Sequence, residues 1–213
     1  MFDLLRTIRN RVKSPGTVAV GRKCLTGRPP IYTLHAALLL SVTSFCGQSQ
    51  AQTSAPSQFD VEAVYLYNFA KFVRWPPGGP GHALDVCVAG QRVYLDKLNQ
   101  VVAGERIDER PLAVRAIQRP EDEAGCDILF IDATAKERLD SLLAAAADKP
   151  VLTVSDLPDF LDRGGMIQFI LVNSRIRFSV DLRPTTHNGI TLSSELLKVA
   201  VAVNGQPVGG GAK

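Results

Sequence analysis

Leu84–Ala89, Asp127–Ile131 and Val151–Ser155 are apolar along nearly their whole length rather than at alternate positions. A strand with one wet face alternates; one that is apolar throughout has to be buried on both faces. Between these runs lie stretches with helical spacing, Val93–Val102 and the alanine-rich Ala135–Ala147, and a further strand over Leu112–Ile117. Short buried strands separated by helices specify an α/β class, with a mainly parallel sheet covered by helices on both faces.

The flanking segments add detail. Asp60 is placed to cap a helix running to about Arg74, with Val61, Val64, Tyr65, Phe69, Phe72 and Val73 on one face. Ala63, Leu66 and Ala70 lie on the other side, so this helix is expected to be covered on more than one face. Trp75-Pro76-Pro77-Gly78-Gly79 stops it. Downstream, Pro158–Asp162 reads as a short helix ended by Gly164-Gly165. Met166–Val172 and Arg175–Leu182 flank Asn173-Ser174, which predicts a tight antiparallel hairpin near the sheet margin. Ser193 and Ser194 are placed to cap a final helix, Glu195–Val203, with Gly205 beyond its end. No internal repeat is seen.

The N-terminus reads as an address rather than as structure. Seven basic residues up to Arg28, against one acid, Asp3, precede an apolar run from Ala36 to Phe45 and the small-residue exit Ser49-Gln50-Ala51. This is the pattern of a secretory signal peptide, and its apolar core falls short of the roughly 20 residues needed to span a bilayer. Cys46 closes the run, but the bulky Phe45 before it argues against lipoprotein processing. The basic flank is long enough that translation could start downstream of Met1. With 24 basic and 21 acidic residues the chain is +3. Removing residues 1–51 leaves 17 and 20, a net −3, so the basicity implies no nucleic-acid partner. Cleavage also leaves two of the four cysteines, Cys87 and Cys126. In an oxidising compartment an even pair is a disulfide candidate; two buried free thiols are the alternative.

The search for catalysis comes back empty. His82 and His187 have no metal-ligand partner at helical or loop spacing, so no metal site is expected. There is no G-x-S-x-G elbow, no G-x-G-x-x-G after the first strand and no P-loop, so neither a hydrolase nor a nucleotide cofactor is indicated. Asp132 and Asp156 follow the ends of two strands, where α/β sheets place ligand groups. A phosphoacceptor site would also need acids after the first strand, which are missing; Asp156 before Leu157-Pro158 reads better as a turn or helix-cap residue. What remains is surface. Arg74 and Trp75 are candidate partner contacts, Trp75 being alternatively a seal over the core. Met166, Ile167 and Phe169, after Gly164-Gly165, form either the close-packed start of a strand or a binding edge.

These segments carry a resemblance. Tyr65-Leu66-Tyr67-Asn68-Phe69-Ala70-Lys71-Phe72-Val73-Arg74-Trp75-Pro76 is similar to the opening helix of the YfiR family of bacterial periplasmic regulatory proteins. Val86–Gly90, Cys126–Ile131, Val151–Asp156, Gly164–Phe169, Arg177-Phe178 and Ile190–Leu197 follow in the family's order. The resemblance covers about residues 60–203. It implies a periplasmic domain without catalytic activity or cofactor, self-associating as a homodimer. It further implies repression of an inner-membrane diguanylate cyclase by binding its periplasmic part, which lowers cyclic di-GMP signalling and so biofilm formation. Cys87 and Cys126 match the family's two recurrent cysteine positions, which strengthens the disulfide reading. Adjacency of the first and third strands would bring them together.

The expected organisation is a signal peptide over 1–51, cleaved near Ala51, and a mobile leader over 52–58. A YfiR-like domain over 59–204 and a disordered tail over 205–213 complete it. The alternative reading is a periplasmic small-ligand sensor serving another membrane signalling protein, with its pocket near Asp132 and Asp156.

Overall fold

A computed structural model describes residues 55–76 and 83–205; the expectations for the signal peptide, for His82 and for the tail beyond Gly205 lie outside them. The first helix, α1 (Gln58–Phe72), starts earlier than expected. Ser57, not Asp60, is its N-cap. The Ser57 side chain accepts from the Asp60 amide, and the Asp60 carboxylate takes the Ser57 amide at 2.9 Å. This reciprocal box satisfies two otherwise orphaned donors. Asp60 also pairs with Lys97 at 2.6 Å. The helix stops at Phe72, and the last two residues of its expected span become a short strand, β1 (Val73–Arg74).

The alternating series then unfolds much as expected: β2 (Leu84–Ala89), α2 (Arg92–Val102), β3 (Arg106–Ile107), β4 (Arg110–Ala116), β5 (Ile128–Ile131), α3 (Leu139–Ala146) and β6 (Leu152–Ser155). The hairpin β7 (Ile167–Val172) and β8 (Arg175–Asp181) follows, then α4 (Leu182–His187), β9 (Thr191–Leu192), α5 (Ser194–Val199) and β10 (Val203–Asn204).

The main sheet runs β10-β8-β7-β6-β5-β2-β4-β3, and β1 pairs separately with β9. Its centre, β4-β2-β5-β6-β7, is parallel throughout. Antiparallel pairing appears in the hairpin and at β3. The first expected strand therefore does lie beside the third, and the hairpin sits next to the margin. Its turn residues Asn173 and Ser174 have φ of 49° and 58°, the left-handed values that suit a two-residue hairpin loop.

Strand parity divides the interior in two. Val86, Val88, Ile128, Phe130, Leu152 and Val154 pack with α1, α2 and the hairpin phenylalanines Phe169 and Phe178. Cys87, Ala89, Leu129 and Ile131 point the other way, toward Leu139, Leu142 and Phe160. Both faces are covered, as the unbroken apolar runs required; each such side chain contributes about 1.5–3 kcal/mol on burial. α1 is itself buried continuously from Glu62 to Ala70.

Four local expectations are corrected. The alanine-rich helix is divided into a 3₁₀ segment, Ala133–Arg138, and α3, because Asp132 caps the tighter segment. Residues 158–162 form turns and no helix. The final helix ends at Val199 and not at Val203, because backbone bonds from Val201 to Phe178 and from Val180 to Ala202, both 2.9 Å, draw the chain onto β8. Gly205 accordingly follows a strand. Finally, α4 was not expected: Asp181 caps it through the Arg183 amide at 2.9 Å, which puts His187 at a helix end.

Candidate functional site

The carboxyl ends of β5 and β6 do bring Asp132 and Asp156 together with groups from α1 and α2. Asp132 is fully buried and engaged by its own chain. One oxygen accepts from the Thr134 amide at 2.7 Å and hydroxyl, the other from the Gln91 amide at 2.6 Å. A carboxylate so occupied is a structural clamp between two loops, not an open phosphoacceptor. Of the two roles expected for Asp156, turn or helix cap, the structure keeps the turn, since bends and turns and no helix follow it. The Leu157 amide is taken instead by the Ser155 hydroxyl at 3.0 Å, which donates to the Ile131 carbonyl at 2.6 Å.

Asp156 turns toward Tyr94 of α2, its Oδ2 lying 3.3 Å from the phenol oxygen, while its Oδ1 is buried without a hydrogen-bond partner. The same hydroxyl lies 2.6 Å from Oε2 of Glu62 on α1. Gln58 donates to the other Glu62 oxygen at 2.9 Å. The Tyr94 ring is held edge-on by Phe59 and Phe130, at 4.9 and 4.6 Å between centroids.

Burial pushes the Glu62 carboxyl up to about 7; its bonds from Tyr94 and Gln58 oppose this, and the nearby Asp156 and Asp132 charges add to it. Burial, then the Asp132 charge, also raises Asp156. Burial and the Glu62 carboxylate raise the Tyr94 hydroxyl. Glu62 and Tyr94 were missed by sequence reasoning. The available signal was an acid inside a helix expected to be covered on more than one face. The cluster contains no nucleophile–base pair, and the described residues include no group of three or more His, Cys, Asp or Glu placed to hold a metal. It can exchange a proton and clamp α1 to the strand ends. His187 lies elsewhere, 2.5 Å from Asp148 on the surface.

The candidate contact residues divide. Arg74 is exposed and Trp75 half-buried, its indole N–H enclosed without a partner. Met166, Ile167 and Phe169 are buried to within 3% and form part of the core, which corrects the binding-edge reading. β7 is flanked on both sides by strands, and the Phe169 ring stacks on Phe69 at 5.8 Å. The preceding glycines serve this close packing: a Cβ on Gly165 would lie 2.1 Å from the Phe160 ring.

The exposed apolar surface is at the other end of the hairpin. Leu171 is 71% and Val201 49% exposed. A shallow cleft of about 530 Å³ there is lined by Val172, Asn173, Arg175, Arg177 and Val201. The alternation of β8 pointed to a half-open strand, but not to an apolar rim on β7.

Cys87 and Cys126 form a disulfide, with Cα atoms 5.8 Å apart and a separation of 39 positions in sequence. It lies within the second core and ties β2 to the segment leading into β5.

Set against known proteins, residues 59–201 match the model of the family described as YfiR/HmsC-like. Among solved structures, a conserved domain protein from Vibrio cholerae O1 biovar eltor strain N16961 aligns with TM-score 0.48 and 11% identity, over 70% of this chain and 60% of that one. The ABC domain in complex with L-Trp from Streptococcus pneumonia aligns with TM-score 0.40 and 10% identity, over 56% and 55%. This chain thus spans less than two thirds of either structure, and the fold reading rests on the strand order and the family match.

Proposed function

Because the chain belongs to the YfiR/HmsC-like family, we propose that it is a periplasmic regulatory binding protein that represses an inner-membrane diguanylate cyclase by binding the cyclase's periplasmic part. Bound, it lowers cyclic di-GMP output; released, it lets the cyclase signal. The observation that carries this reading is the family match running from α1 through α5 of the described fold. Two features of the molecule fit it. No helix among the described residues is long and apolar enough to cross a membrane. A disulfide in the second core suits an oxidising compartment.

The contact surface under this proposal comprises the hairpin end, where Leu171 and Val201 supply apolar area and Arg175 and Arg177 supply charge, together with Arg74 and Trp75. Central apolar anchors rimmed by arginine are what partner surfaces use. The same chain is proposed to be exported through residues 1–51 and to act as a homodimer.

The test is affinity purification of the tagged protein from a detergent-solubilised native envelope. Recovery of a membrane protein with a diguanylate cyclase domain, together with a rise in cellular cyclic di-GMP when this gene is deleted, supports the proposal. An unchanged cyclic di-GMP level on deletion overturns it.

A further inference from the structure

The Tyr94 hydroxyl has one hydrogen and faces two carboxyl groups. It lies 2.6 Å from Glu62 Oε2 and 3.3 Å from Asp156 Oδ2. A phenol donates one hydrogen bond and accepts two. If it donates to Glu62, the Asp156 contact becomes a hydrogen bond only when Asp156 carries a proton and donates back. If it donates to Asp156, the same holds for Glu62.

The other groups facing this point do not supply the missing charge. Gln58 of α1 is neutral and occupies Glu62 Oε1. Asp132, after β5, is an acid already engaged by Gln91 and Thr134. α2 contributes Tyr94 itself, and its Lys97 is paired with Asp60. Among the described residues none of the three carboxyls has an ion-pair partner. Phe59 and Phe130 close the site with apolar rings. Two ionised carboxylates here would repel and leave buried lone pairs unmet, Asp156 Oδ1 among them. One proton shared by the pair removes the repulsion and joins both carboxyls to the Tyr94 hydroxyl.

We propose that Glu62, Tyr94 and Asp156 form a proton-operated latch: with one proton shared, they lock α1 to α2 and to the end of β6, and loss of that proton loosens α1. The titration supports this geometry. Glu62 in the fold ionises near 7 rather than at its ordinary value of 4.5, so the folded state holds a proton that the unfolded chain has released. The stability the latch adds is full below the unfolded value and is lost as pH rises through about 7. The device needs no partner and stands apart from the functional reading above.

The test uses the purified chain with its disulfide intact. Carboxyl ¹³C NMR is followed from about pH 4 to 9, and α1 amide exchange, corrected for the intrinsic rate, is followed over the same range. One carboxyl of the Glu62–Asp156 pair should titrate near neutrality. The α1 opening constant should rise about tenfold or more across that step. Glu62→Gln should abolish the step and Asp156→Asn should move it to lower pH, whereas His187→Asn, which removes an imidazole outside the cluster, should leave it. Titration of both carboxyls below about pH 5, or flat α1 exchange in the wild-type protein, overturns the proposal, and neither readout depends on the variants folding.

Discussion

A Cβ added to Gly90 would lie 2.1 Å from Cγ of Asp132 and 2.3 Å from both its oxygens. The turn leaving β2 is thus pressed directly onto the carboxylate that receives the Gln91 amide. Gly90 has φ of 154°, a value L side chains rarely adopt. Gly90→Ala should therefore both strain the backbone and displace the clamp, costing about 1–3 kcal/mol. A urea midpoint equal to that of the wild type would show that Asp132 can yield without loss.

The disulfide leads to a second expectation. Closing a loop across 39 residues of sequence restricts the unfolded chain and adds about 2–4 kcal/mol. The double variant Cys87→Ala, Cys126→Ala should melt lower by a corresponding margin. Adding reductant should lower the wild-type midpoint and leave the double variant unmoved. Equal reductant sensitivity in both would trace the effect elsewhere.

Asp127 anchors the amino end of the sheet. Its carboxylate takes the Asp85 amide at 2.8 Å and the Arg110 guanidinium at 2.8 Å. Asp127→Ala strands a strand-start N–H, at a cost of about 1–3 kcal/mol. Asp127→Asn keeps an acceptor for that amide and should cost less. Chemical denaturation of the two variants checks the order.

Asp181 and Glu62 titrate with opposite consequences. Hydrogen bonds from the Arg183 side chain, with help from its backbone and charge, hold Asp181 below the usual carboxylate range. Its contribution is present above the unfolded value and disappears as pH falls through the lower folded one. Asp181→Asn should therefore lower Tm at pH 7 and change little once the wild-type carboxyl is protonated. A loss of equal size at both extremes would mean that the capping of α4, not the charge, dominates.

On the proposed contact surface, Leu171→Asp and Arg175→Glu alter exposed positions and should leave Tm within a degree or two of wild type. Each should weaken co-purification of the cyclase several-fold. Full binding by both would move the contact away from the hairpin end.

The layered fold was legible because burial on both faces leaves its own mark: Val86-Cys87-Val88-Ala89 and Ile128–Ile131 cannot alternate when neither side is wet. The hairpin was legible from Asn173-Ser174 and from the regular alternation of β8. Boundaries failed where tertiary contact overruled local signal. Asp60 looked like a cap until Ser57 was seen to share the box with it. Residues 200–203 had helical character, but the free edge of β8 claimed them. The site failed for another reason. Glu62 and Asp156 are 94 positions apart in the chain, and only the packing of α1 over the strand ends joins them through Tyr94. Met166 and Phe169 misled because an apolar strand start looks the same whether it faces a neighbouring strand or a partner.

The position of α1 in the chain has a consequence for how the molecule comes into being. Its Tyr65 hydroxyl reaches the Ile176 carbonyl at 3.3 Å across 111 residues, Phe69 packs on Phe169 and Phe178, and β1 at its end pairs with β9. A chain that emerges N-terminus first therefore presents this deeply buried helix long before the strands that cover it exist. Local elements such as β2-α2-β4 can form early and meet α1 through Tyr94 and Lys97, but the hairpin and β9 contacts of α1 have to wait for nearly the whole sequence. Contacts this distant slow folding, so refolding should show a late phase in which Trp75, the only tryptophan in the chain, reaches its native emission last. During that interval the uncovered helix is the part of the chain most in need of a chaperone.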